Sequence, residues 1–153
     1  MSSAKKKVII SACILGEYCR YDGNTKEISA VAKAYEGWEI IPFCPEAPLF
    51  GTPRERIDVV EIDGANHILT HEGKKDVTEL LRSQIEQFCK EHPNPDAIVL
   101  KAKSPSCGYK TTPVLDQNGI EIKKGSGIAA DIFREKYKEL SIANENLFFN
   151  NEV

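Results

Sequence analysis

The chain has 153 residues, a formal net charge of −3, 41% hydrophobic residues and 28% charged residues. That length favours one domain with a real core, and the composition is that of a folded protein rather than a disordered one. No basic excess is present to displace phosphate counterions, which argues against nucleic acid as a partner, and no apolar run approaches the roughly 20 residues that span a bilayer.

The lysines at 5–7 read as a solvated edge, and residues 7–12 as a buried first strand, Val8-Ile9-Ile10 being β-branched and bounded by a loop. The apolar run lacks a cleavage-type ending, so it does not read as a signal peptide, and the expected compartment is the cytoplasm. Residues 27–36 carry Ile28, Val31, Ala32 and Tyr35 at helical spacing, with Gly37 as the stop. A second strand over 38–43 ends at Cys44-Pro45. Runs at 57–62 and 66–70 flank Asp63-Gly64 and predict a hairpin. An amphipathic helix over 75–91 places Val77, Leu81, Ile85 and Phe88 on one face. Another buried strand covers 96–101, a helix 127–139 and a short last strand 140–143.

Strands separated by helices predict an α/β fold: a single-domain, mostly parallel, Rossmann-like sheet with helices on both faces and a small hairpin insertion. The domain is expected to cover 1–153, with loose ends at 1–6 and 145–153.

Five cysteines without a secretion signal speak against a disulfide framework and for reactive thiols or a metal site. Cys13, Cys44 and Cys107 share an address, each in a loop that follows a strand, and such loops converge on the ligand crevice of an open parallel sheet. Three thiolates suit zinc or an iron–sulfur cluster and leave one coordination position open. The plainer alternative is that these cysteines are small buried hydrophobes, since no Cys-x-x-Cys spacing occurs. Cys89 falls on the apolar face of its helix and reads as core, whereas Cys19 stands in a polar loop that could approach the same crevice, as a fourth ligand or a spare thiol.

Other features offer weaker signals. Glu46, two residues after Cys44, is a candidate general acid or base. Ser104 could orient a water or a substrate, or merely form a Ser-Pro turn. Ser126 reads as the N-cap of the 127–139 helix. His67, His71 and His92 show no paired ligand pattern, and Arg54 suits a surface ion pair as well as a substrate contact. Cys13 and Arg20 suggest the phosphate loop of a thiolate phosphatase, but six residues separate them where that loop has five.

Five segments follow one another in order: Ser11-Ala12-Cys13-Ile14-Leu15-Gly16, Cys19-Arg20-Tyr21-Asp22-Gly23, Pro42-Phe43-Cys44-Pro45-Glu46, Thr52-Pro53-Arg54 and Lys103-Ser104-Pro105-Ser106-Cys107-Gly108. Together they resemble the bacterial 2-thiouracil desulfidase family, over residues 8 to about 140. The resemblance implies a [4Fe–4S] cluster on Cys13, Cys44 and Cys107, with a fourth iron open to a substrate sulfur. It places Glu46 and Ser104 on the acid–base and assisting positions. The implied activity is non-redox removal of sulfur from a small thiocarbonyl molecule such as a thiolated pyrimidine. Phe50-Gly51, Glu55-Arg56 and residues 109–112 depart from the family pattern, which bears on substrate shape more than on the cluster. Two readings of other classes stand beside it: a non-catalytic iron–sulfur or sulfur-handling protein, and a cluster-free thiol enzyme using Cys13 and Arg20.

Overall fold

A computed structural model describes residues 5–16, 29–51 and 55–149. The parallel sheet holds β1 (Lys7–Ser11), β2 (Glu39–Phe43), β5 (Ala97–Leu100) and β8 (Ile142–Asn144), in the order β2-β1-β5-β8. Every pairing within it is parallel, as strand–helix alternation requires. Pro42 lies in β2, an edge strand, where a missing N–H costs no ladder bond on the open side.

Both faces of this sheet are covered. Ile9, Ile41, Phe43, Ile98 and Leu100 pack with α3 (Thr78–Glu91) and α4 (Ile128–Lys136), whose Leu81, Ile85 and Phe133 are fully buried. Val8, Ile10 and Val99 face the other way, toward Ile14 and toward Val31 of α1 (Ser29–Ala34). The alternation along Val8-Ile9-Ile10 therefore feeds two cores, which explains why the run is apolar throughout. Cys89 is buried on α3, as its position on the apolar face implied.

The hairpin of β3 (Ile57–Ile62) and β4 (Ala65–Thr70) stands outside the parallel sheet, and its turn has φ of 51° at Asp63 and 83° at Gly64. Two left-handed residues in succession are the signature of the tight turn that Asp-Gly favours. The structure adds a second hairpin, β6 (Thr112–Leu115) with β7 (Glu121–Gly125), in a segment read from the sequence as loop. β6 pairs parallel to β3, so the two hairpins form a second four-stranded sheet, β4-β3-β6-β7. The missed signal was Asn118-Gly119. Gly119 has φ of 86°, and Asp116 Oδ1 accepts the amides of Asn118 and Ile120 at 2.8 and 3.0 Å.

Two further expectations need correction. Gly127 takes the N-cap of α4, while the Ser126 hydroxyl accepts the Lys110 amide at 2.8 Å. Glu145, expected in a loose end, is 4% exposed, and α5 (Asn146–Phe149) follows it. Two charge-assisted bonds hold it there: it accepts the Ala102 amide at 2.7 Å and pairs with Lys101 Nζ at 2.8 Å. No described helix is long and apolar enough to cross a membrane.

Candidate active site

The C-terminal ends of β1, β2 and β5 open onto a cavity of about 720 Å³, and the second sheet supplies the wall opposite. Cys13, Cys44 and Cys107 all line it, with Glu46, Ser104 and Ser106. The shared address read from the sequence is thus real in space. Cys19, Arg20 and Thr52-Pro53-Arg54 lie outside the described residues.

Each cysteine is set by the strand before it. Ser11 ends β1, and its hydroxyl accepts the Lys101 amide at 2.8 Å, tying the ends of β1 and β5 together across the sheet. A single 3-10 turn, Ala12–Leu15, then carries Cys13 and closes on Gly16 with φ of 99°. Phe43 ends β2 and is clamped between Phe88 and Phe133, with ring centroids at 4.7 and 5.0 Å, so Cys44 leaves a fixed point. The Cys44 sulfur accepts the Ala47 amide at 3.4 Å.

Cys107 sits in a tightly bonded loop. Ser104 organises it: the Ser104 hydroxyl oxygen accepts the amides of Cys107 at 3.0 Å and Ser106 at 3.3 Å. Its carbonyl accepts the Gly108 amide at 2.9 Å and the Thr112 hydroxyl at 2.7 Å. The start of α4 presses on the same loop. Gly127 donates to the Gly108 carbonyl at 2.7 Å and Ala129 to the Ser106 carbonyl at 2.8 Å. A Cβ on Gly127 would stand 2.6 Å from the Ser106 oxygen and 2.8 Å from the Cys107 nitrogen, so this approach requires glycine.

Glu46 is 8% exposed. It occupies the N-cap position of α2 (Ala47–Phe50), but its side chain makes no cap; its Oε2 instead accepts the Ser106 hydroxyl at 2.6 Å. Sequence reasoning named Ser104 and passed over Ser106, the serine that touches the carboxylate. The signal was the Ser-x-Ser-Cys order itself, since a turn nucleated by the first serine turns the second inward.

Burial pushes the Cys107 thiol up to about 12, helped by the charges of Cys44 and Glu46, while hydroxyls of Ser106 and Ser11 act in the opposite sense. Among the described residues, no three His, Cys, Asp or Glu side chains stand where they could hold a single ion. Cys13, Cys44 and Cys107 line one cavity, and a donor set of three sulfurs is the soft kind that selects iron–sulfur chemistry.

An open parallel sheet with three thiols, a buried carboxylate and two serines at its strand ends defines a thiol-lined ligand crevice of the kind that can carry a metallocentre. The chain belongs to the 2-thiouracil desulfurase family, whose model matches residues 8–145. It is 30% identical over 148 residues to the uncharacterized protein YbbK of Bacillus subtilis (strain 168), covering 90% of this chain and 96% of the relative. Among solved structures it resembles the [4Fe-4S]-dependent thiouracil desulfidase TudS (DUF523Vcz), with a TM-score of 0.71 and 29% identity over 95% of each chain.

Proposed function

We propose that the protein is a desulfidase that removes sulfur from a small thiocarbonyl compound of the thiolated-pyrimidine type, with a [4Fe–4S] cluster held by Cys13, Cys44 and Cys107. The observation that carries this reading is the meeting of all three cysteines, Glu46 and the Ser104–Cys107 loop on one cavity. Family membership and the likeness to a [4Fe-4S]-dependent thiouracil desulfidase support it. Both sheets wall that cavity, which supports one α/β domain over 1–153. The formal charge of −3 suits a small-molecule partner rather than nucleic acid, and the compartment we propose is the cytoplasm.

The cluster would supply a Lewis-acidic iron, free of protein ligands, for a thiocarbonyl sulfur. Water adds to the thiocarbonyl carbon, the C–S bond breaks, and the products are a carbonyl and hydrogen sulfide or its anion. Atoms and electrons balance without an external oxidant or reductant. Glu46 takes the proton of the attacking water and returns it toward the departing sulfur. Ser104 assists by holding the loop that presents Cys107 and by keeping a hydroxyl at the cavity wall.

Glu46→Gln tests the role of the carboxylate. The variant is expected to bind as much iron as the wild type and to lose turnover of 2-thiouracil by at least about 100-fold, the lower end of general acid–base contributions. A Glu46→Gln enzyme with full activity would remove Glu46 from the chemistry.

A further inference from the structure

Ser106 is 1% exposed and lines the cavity, and its Oγ lies 2.6 Å from Glu46 Oε2. The Ser106 hydroxyl donates this bond and the carboxyl oxygen accepts it, at the short end of O–H···O distances. The same oxygen stands 3.8 Å from the Cys107 sulfur, so one side chain bridges the carboxylate and a thiol.

Glu46 is attached through three rotatable bonds at the N-cap position of a four-residue helix, and its Oε2 is turned to Ser106. Ser106 rides on a loop fixed from both sides: its amide reaches the Ser104 hydroxyl at 3.3 Å, and its carbonyl accepts Ala129 at the start of α4 at 2.8 Å. The close approach of Gly127 leaves the Ser106 backbone no room to shift toward α4. A short bond from a donor fixed on both sides restricts the direction of the long side chain that accepts it.

We infer that Ser106 is a positioning residue for Glu46, holding its carboxylate by Oε2 at the wall of the cavity. The inference rests on the reading of Glu46 as the proton-moving group. A serine that only satisfies a buried carboxylate would affect stability and leave the rate per active enzyme unchanged. A positioning serine affects the rate and leaves substrate affinity nearly alone.

The test uses the iron-loaded enzyme prepared without oxygen, with 2-thiouracil as the probe and Ser106→Ala, Ser106→Thr and Glu46→Gln as the variants. Iron per chain, kcat per bound iron and KM are measured for each. Ser106→Ala is expected to keep its iron, to lose kcat by about 10–100-fold, the scale of a misplaced catalytic group, and to keep KM within about twofold. Ser106→Thr, which retains the hydroxyl, is expected to recover most of that loss.

Wild-type kcat in Ser106→Ala beside an inactive Glu46→Gln overturns the inference alone. So does a loss of kcat in Ser106→Ala that merely follows a loss of iron, or a Ser106→Thr enzyme that keeps its iron and is as slow as Ser106→Ala. Full turnover in Glu46→Gln overturns the reading on which the inference rests, whatever Ser106 does.

Discussion

The two sheets meet the same cavity with different chemistry. The parallel sheet brings Cys13, Cys44 and Cys107 to it at the ends of three strands, each backed by an anchor: Ser11, the Phe43 cluster and the Ser104 turn. The second sheet brings Asp58, Val59 and Leu115, with Arg56 just before β3, and no thiol. Arg56 Nε pairs with Asp58 at 3.4 Å, and His71 Nδ1 pairs with Asp58 at 2.7 Å from outside. For the proposed reaction the difference implies a division of labour: the thiol-bearing wall would hold the metallocentre and move protons, and the other would select what lies against it.

The largest effects are expected on the parallel-sheet side. Cys13→Ala, Cys44→Ala and Cys107→Ala should each lose bound iron and, with it, all turnover, read as iron and sulfide per purified chain. If Cys44→Ala and Cys107→Ala stayed active while alkylation of Cys13 alone inactivated the enzyme, the division would collapse in favour of a plain thiol enzyme. An intermediate effect is expected at the seam between α4 and the Cys107 loop. Gly127→Ala pushes a methyl against the Ser106–Cys107 peptide and should cost about 1–3 kcal/mol, seen as a lower Tm, because overpacked sites relax only partly. An unchanged Tm would mean that the loop yields and does not anchor Cys107.

The smallest effects belong to the opposite wall. Arg56→Ala and Asp58→Ala should leave iron content untouched, shift KM severalfold and keep kcat per bound iron within about twofold, which steady-state kinetics on the anaerobic enzyme would show. A collapse of kcat in either would put chemistry on the second sheet as well.

The parallel sheet was legible in the sequence because its strands are apolar on both faces and its helices periodic, as in Val8-Ile9-Ile10 and Val77, Leu81 and Ile85. The convergence of the cysteines followed from their strand-end positions alone. The second sheet was half legible. Asp63-Gly64 announced one hairpin, while β7, with Glu121, Ile122, Lys123 and Lys124 all exposed, has no buried face to create a pattern. The Ser106–Glu46 bond was hidden for another reason: it joins residues 60 apart, and no local propensity records such a pair. Glu145 was missed in the same way, since its partners Lys101 and Ala102 lie far back in the chain.

The central claim is that the three cysteines hold a cluster. Purification without oxygen, followed by iron, acid-labile sulfide and visible absorption on one sample, tests it directly. The account predicts a brown protein with about four irons and about four sulfides per chain, the content of one cubane cluster. A colourless protein that takes up neither iron nor sulfide after anaerobic reconstitution would contradict it.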